Sequence, residues 1–286
     1  MTAQSPEPAP WTPQVWVDDR LVAAGDAHIS VADHAFTVGD AVFETMKVKA
    51  GTPFALTRHL QRLVASAGGL GLGRPDDERL RAALAAVLAQ PGLPATARVR
   101  ITYGAGAAPM GSGRGDAPPR LVVTVAEATP WPPTTSVVTV PWVRNERSAV
   151  AGLKTTSYAE NVVALEHAHA RGAGEAIFAN TRGELCEGTG SNIFVVLHGA
   201  LCTPPLASGC LPGVTRDLVI AWSRAVERNL TMEELARADE VFLTSSTRDV
   251  QAVAKVDERA LPDAPGPVTR AAAADFARRS REDSDP

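Results

Sequence analysis

The stretch Thr129-Pro130-Trp131-Pro132-Pro133-Thr134-Thr135 organises the whole chain. Each proline removes a backbone donor and fixes its own φ, so neither a helix interior nor a central strand runs through it. Residues 129–135 read as a linker between a smaller domain, 1–128, and a larger one, 136–286. Just upstream, Arg120-Leu121-Val122-Val123-Thr124-Val125 is a strand, and Val99, Ile101 and Tyr103 alternate with Arg98, Arg100 and Thr102 in another. Further out, Leu56, Leu60, Leu63, Val64 and Ala67 recur at helical spacing as far as Gly68-Gly69. Pro75-Asp76-Asp77-Glu78 opens a second helix through Leu80, Leu84, Val87 and Leu88. The alternating stretch 42–48 predicts a hairpin with Pro53-Phe54-Ala55, and Val15-Trp16-Val17 one with Arg20-Leu21-Val22.

Downstream of the prolines the pattern is again mixed. Residues 137–140 read as a strand, 158–171 as a helix ended by Gly172, and 176–179 with 184–187, then 193–197 with 201–203, as hairpins. Thr215 opens a helix carrying Leu218, Val219, Trp222 and Val226, Thr231 and Glu234 have capping-box spacing, and 241–243 is a buried strand. Residues 268–279 read as a helix, and the closing Arg-Glu-Asp-Ser-Asp-Pro is expected to fray. The fold class is α/β (α+β), two domains of mixed sheets and helices.

Lys plus Arg is 28 against Asp plus Glu 32, which leaves no cationic surplus for gripping nucleic acid. No apolar run approaches the ~20 residues of a membrane span. The opening residues 1–13 read as a loose Pro-rich leader, without the basic and apolar segments of a signal peptide, so a cytoplasmic location is expected. Cys186, Cys202 and Cys210 are odd in number and lack Cys-x-x-Cys spacing, so they read as reduced thiols, with no metal site. His167 and His169 fall on different helix faces, and Ser191 lies in no Gly-x-Ser-x-Gly elbow. Gly104-Ala105-Gly106-Ala107-Ala108-Pro109 lacks the third glycine of a dinucleotide fingerprint and reads as a mobile loop.

Five features carry chemistry when taken together. Lys154, in Gly152-Leu153-Lys154-Thr155-Thr156-Ser157-Tyr158, has few charged neighbours in sequence; desolvation there leaves a free amine able to attack an aldehyde. Glu187 precedes a small-residue turn and an apolar strand, Gly188-Thr189-Gly190-Ser191-Asn192-Ile193-Phe194, a place to hold a proton on a heterocyclic nitrogen. Leu211-Pro212-Gly213-Val214-Thr215-Arg216 leads into a helix, aiming N–H groups at an anion. Thr244-Ser245-Ser246-Thr247 is a second donor cluster, and Arg58 a cation for the same anion. Each alone has a plain structural reading as an exposed charge, a cap or a strand end.

Their order and spacing, with Gly39-Asp40-Ala41-Val42-Phe43-Glu44-Thr45 and Arg58-His59-Leu60-x-Arg62-Leu63, resemble the class IV pyridoxal-phosphate aminotransferases and their lyase relatives over most of the chain. The resemblance implies fold type IV, with pyridoxal 5'-phosphate between the two domains, and a homodimer. Lys154 resembles the catalytic lysine that forms the cofactor aldimine and shuttles the proton. Glu187 resembles the carboxylate at the pyridine nitrogen. Arg58, Val214, Thr215 and Ser246 match phosphate-binding positions, Leu211 the residue on the ring face, and Tyr158 a partner of the ring hydroxyl, at a distance from the lysine that differs by one from the branched-chain pattern.

Departures from the family pattern bear on substrate. D-amino acid aminotransferases have a tyrosine where Phe43 stands, and an arginine and histidine in the loop that reads Ala107-Ala108-Pro109-Met110-Gly111 here. Arg100 is the first candidate to replace that carboxylate anchor, ahead of Thr247, Lys47 and Arg114. The Gly-Gly-Asn-Tyr run after the lysine of branched-chain enzymes is missing. The resemblance thus implies a transaminase moving an amino group from a D-amino acid or (R)-amine to a 2-oxo acid. The alternative is a 4-amino-4-deoxychorismate lyase releasing pyruvate and 4-aminobenzoate. A branched-chain L-amino acid aminotransferase and a non-catalytic binding protein rank below both.

Overall fold

A computed structural model describes residues 11–286, so the expected leader lies, for its first ten residues, outside the described residues. A six-stranded sheet comes first: β1 (Gln14–Val17), β2 (Arg20–Ala23), β3 (Ala41–Lys49), β4 (Thr52–Pro53), β5 (Thr96–Gly104) and β6 (Arg120–Glu127), in the order β2-β1-β6-β5-β3-β4. Its pairs are antiparallel, and β3 runs beside β5 from Ala41 opposite Gly104 to Lys49 opposite Thr96. Alternation along β5 turns Val99, Ile101 and Tyr103 into the core and leaves Arg100 and Thr102 half-buried on the other face. Three helices accompany it: α1 (His34–Thr37), α2 (Leu56–Gly69) and α3 (Asp77–Leu88). Leu60, Leu63 and Ala67 of α2 pack with Leu80, Leu84 and Val87 of α3 on that core. Each buried leucine contributes roughly 1.5–3 kcal/mol.

The second sheet has nine strands: β7 (Thr134–Arg144), β8 (Glu175–Asn180), β9 (Leu185–Gly188), β10 (Asn192–Leu197), β11 (Ala200–Thr203), β12 (Val226–Glu227), β13 (Glu240–Ser245), β14 (Asp249–Val256) and β15 (Arg259–Ala260). It runs β12-β11-β10-β13-β14-β7-β8-β9, with β15 on β14. Four helices accompany it: α4 (Ala159–His169), α5 (Val214–Ser223), α6 (Met232–Arg237) and α7 (Pro267–Glu282). The capping box at Thr231 and Glu234 starts α6, as the spacing predicts.

Local expectations are corrected at several points. Strand β7 begins at Thr134, inside the expected linker, because the β-branched Thr134 and Thr135 pair with Ala252 and Val253 of β14. Phe54 and Ala55 are not strand: β4 is two residues long, and Ala55 sits at φ 54° as the residue before α2. Helix α5 ends at Ser223 with Arg224 left-handed, so Val226 is exposed in β12 and not on a helix face.

The chain's last residues dock where fraying is expected. Helix α2 starts without a side-chain cap. Its orphan donors are met from afar: Ala55 N–H donates to the Ser284 carbonyl at 2.7 Å, and Thr57 N–H to Asp285 Oδ1 at 2.8 Å. Asp285→Ala is expected to cost about 1 kcal/mol, the usual value of a lost cap, seen as a lower midpoint in denaturant at unchanged slope.

Candidate active site

The two sheets face each other across a cavity of about 490 Å³. Phe43 and Thr45 of β3, Arg62 of α2 and Arg100 of β5 line one side; Lys154, Tyr158, Glu187, Leu211, Val214, Thr215, Ser246 and Thr247 line the other. The structure therefore brings together every expected site residue but one. Arg58 is outside this lining, and its Nε donates to the Pro286 carbonyl at 2.6 Å. One turn along α2, Arg62 faces the cavity instead.

Lys154 is held by its backbone. Its N–H donates to Ser66 Oγ at 3.1 Å and its carbonyl accepts from Phe43 N–H at 2.9 Å, pinning the loop before α4 to β3 and α2. The side chain is free to act: Nζ lies 3.4 Å from the Tyr158 hydroxyl and 4.2 Å from the Phe43 ring centre. Burial, with Arg62 and Arg100 nearby, brings its ammonium down to about 8. Burial also raises Tyr158, further lifted by the Glu187 charge, to about 12, so it stays a phenol.

Glu187 is buried on β9. Its Oε2 accepts from Leu211 N–H at 2.9 Å and its Oε1 lies 3.3 Å from Arg144 Nε. Burial raises its carboxyl, and Arg144 and the Leu211 N–H oppose the shift. A carboxylate so poised suits a shared proton on a ring nitrogen. Arg144, the last residue of β7, stacks on Phe178 at 4.1 Å and donates to Glu160 Oε2 and Asn161 Oδ1, each at 2.9 Å.

The other end of the cavity suits an anion. Gly213 offers no side-chain cap to α5, which leaves the N–H groups of Val214 and Thr215 without a capping side chain among the described residues. A Cβ on Gly213 would run into Asn192 Oδ1, a buried side chain whose amide nitrogen donates to the Leu211 carbonyl at 2.9 Å, so a larger residue here would have to displace it. Arg62 is oriented by both oxygens of Glu44, at 2.7 Å each, and donates to the Pro212 carbonyl at 3.0 Å. The Thr244 hydroxyl, on the same wall, is buried without a hydrogen-bond partner among the described residues. Amine, ring-nitrogen carboxylate and anion cradle thus occur in one cavity, which fits a phosphorylated pyridine aldehyde.

The family model for amino-transferase class IV matches residues 41–256. The chain belongs to the class IV aminotransferases. It is 30% identical over 261 residues to a putative branched-chain-amino-acid aminotransferase of Methanocaldococcus jannaschii, covering 87% of this chain and 89% of that one. It is 29% identical over 280 residues to a D-alanine aminotransferase of Listeria innocua, covering 90% and 92%. The PLP-bound form of a hypothetical aminotransferase from Mycobacterium tuberculosis superposes with a TM-score of 0.80 at 27% identity, over 92% of this chain and 97% of that one. The fold is that of the fold IV transaminases.

Three residues of this class IV aminotransferase lie beyond the reach of its sequence patterns. Arg62 shares one short motif with Arg58, and only the helix phase separates them. Arg144 sits ten residues before Lys154, at the end of a long strand, with no local signal; His59 stands beside Arg58 in the same motif and has nothing local to mark it as buried. Of the other candidate carboxylate anchors, Lys47 is committed to Asp249 at 2.6 Å and Arg114 to Asp40 at 2.7 Å. Neither lines the cavity.

Proposed function

We propose that this aminotransferase takes the amino group of a D-amino acid and delivers it to a 2-oxo acid, with an (R)-amine as a second class of donor. The single observation behind a carboxylate-bearing donor is Arg100. Its guanidinium lies over the Phe43 ring at 3.7 Å, opposite the sheet that carries Glu187, and no carboxylate of the described residues pairs with it. A half-buried arginine without an anion is an unfilled half of an ion pair.

The cofactor is pyridoxal 5'-phosphate. It supplies an aldehyde that condenses with amines and a pyridinium ring that accepts electrons. Arg62, the N–H groups of Val214 and Thr215, and Ser246 would hold its phosphate; Leu211 would pack on the ring, Glu187 would keep the proton at the ring nitrogen, and Tyr158 would donate to the ring hydroxyl. Lys154 would serve as the base that takes the proton from the substrate α-carbon and, once protonated, as the acid that gives it back. Arg100 fixes the carboxylate so that the α-hydrogen faces that amine.

The two sheets with their helices form the two domains of this reading. Exposed Val31, Phe36 and Met110 support a homodimer, and three free cysteines support a cytoplasmic setting. The alternative reading, with branched-chain L-amino acids as donors, is favoured by the similarity to the putative branched-chain-amino-acid aminotransferase of Methanocaldococcus jannaschii. The deciding assay is a panel of D- and L-alanine, D- and L-leucine, a chiral aryl-ethylamine pair and aminodeoxychorismate, with pyruvate and 2-oxoglutarate as acceptors. D-alanine turnover above L-leucine is expected. Faster L-leucine turnover replaces the donor, and pyruvate release from aminodeoxychorismate without an acceptor replaces the reaction. Arg100→Ala is expected to raise KM for the D-amino acid about 10- to 150-fold, the equivalent of 1.5–3 kcal/mol for a charged hydrogen bond. KM for an amine without a carboxylate should move less than about twofold.

A further inference from the structure

Glu44, His59 and Ser246 form a chain that runs from the core of one sheet to the wall of the cavity. Glu44 on β3 and His59 on α2 are both buried, and Glu44 Oε2 lies 2.6 Å from His59 Nδ1. The far ring nitrogen, His59 Nε2, lies 3.2 Å from Ser246 Oγ, just past the end of β13. Arg62 closes the cluster by holding both oxygens of Glu44.

The protons in this chain can be assigned. Burial works to raise Glu44, but Arg62 and then His59 outweigh it and bring the carboxyl down to about 2, so Glu44 only accepts. Nδ1 of His59 therefore carries a hydrogen and donates to it. Burial lowers His59, and Arg62 and Lys154 lower it too, against the pull of Glu44, so the ring is neutral and Nε2 is bare. These are the charged groups that face it: Glu44 from β3, Arg62 from its own helix, and Lys154 from the loop before α4. A bare Nε2 accepts the Ser246 hydroxyl hydrogen, and Ser246 then presents only lone pairs to the cavity. In that state it repels the anion it is placed to hold.

We infer that His59 takes up a proton when an anion enters the cradle of Arg62, Ser246 and the N-terminus of α5, which turns Ser246 from an acceptor into a donor. Protonated His59 donates from Nε2 to Ser246 Oγ, and the hydroxyl hydrogen is released toward the anion. The proton comes from solvent and no bond other than N–H forms. His59 is a positioning residue: it acts on the anion through Ser246. The inference rests on the proposed function in that the cradle is taken as the phosphate site.

Inorganic sulfate, which keeps its full charge across the neutral pH range, is the probe, measured by titration calorimetry on cofactor-free protein in buffers of different ionisation enthalpy. Near pH 7, sulfate binding is expected to take up most of one proton. Its affinity should fall about tenfold per pH unit as pH rises between the free and sulfate-bound His59 values, because the bound state holds the extra proton. Ser246→Ala, at a half-buried position, and His59→Gln should each abolish the uptake and flatten the pH dependence. Nitrogen chemical shifts of His59 should report an imidazolium with sulfate and a neutral ring without it. Sulfate binding without proton uptake, uptake that persists in Ser246→Ala, or no sulfate binding at all overturns the inference. The proposed function fails separately: wild-type protein that develops no absorbance band near the visible edge with pyridoxal 5'-phosphate removes it, whatever sulfate does.

Discussion

Replacing Lys154 by alanine is expected to lower kcat by roughly 10⁴-fold, the upper range for loss of a proton-transferring group, while the protein folds and still binds pyridoxal 5'-phosphate. The fold is indifferent to this side chain, because the contacts that pin residue 154 to β3 and α2 are made by its backbone N–H and carbonyl. The phosphate contacts proposed for Arg62, Thr215 and Ser246 would survive, so binding should remain, with an absorbance spectrum shifted toward that of the free aldehyde. Added methylamine should restore part of the rate by standing in for the missing base. A kcat within about tenfold of the parent, at full cofactor occupancy, would show that another group moves the proton. The intact enzyme carries a pH signature of the same residue. An amine lowered to about 8 is about one-tenth neutral at pH 7, against fewer than roughly one in a thousand for an ordinary lysine near 10.4. Loading of cofactor-free protein, followed by stopped-flow absorbance, should therefore accelerate with rising pH up to about 8 and level off above it.

Glu187→Gln is expected to reduce kcat by about 10²–10³-fold, comparable with removal of one preorganised electrostatic partner, and to weaken cofactor binding far less. The amide keeps the size of the carboxylate and its carbonyl oxygen still accepts from Leu211 N–H. What it loses is the negative charge that, in the proposed role, would keep a proton on the ring nitrogen, and with it the electron demand of the ring on the substrate carbon. Arg144 is then left facing a neutral group, 3.3 Å from where the carboxylate stood. An unchanged rate with an unchanged spectrum would take Glu187 out of the site. Measuring kcat under saturating cofactor separates the two effects, since a pure binding defect is rescued by excess and an electronic one is not.

Much of this molecule is legible in its sequence because the relevant forces act over a few residues. Period-2 alternation places β3 and β5, 3.6-residue spacing places α2, and the Thr231/Glu234 pair places the start of α6 to the residue. The prolines mark where one sheet ends at Glu127 and the next begins at Thr134, although β-branched Thr134 and Thr135 carry β7 two residues into the expected linker. Lys154, Glu187, Val214, Thr215 and Ser246 stand in local patterns whose order points to one cofactor, and all five line one cavity.

The remainder depends on partners distant along the chain. Arg58 and Arg62 differ by one helical turn; which of them meets an anion is set by how α2 lies against β3, where both carboxylate oxygens of Glu44 take Arg62, while Arg58 is drawn to Pro286. The closing residues look frayed by composition, yet they are ordered because α2 lacks a cap of its own and its first N–H groups find Ser284 and Asp285. Lys47 and Arg114 are candidates beside Arg100 for the carboxylate until Asp249 and Asp40 neutralise them across the fold. Local patterning determines where strands, helices and loops form, since those choices are made within a turn or two of backbone. The charge left free in the cavity is decided by long-range pairing: Arg100 is available because, among the described residues, the tertiary structure places no acid beside it.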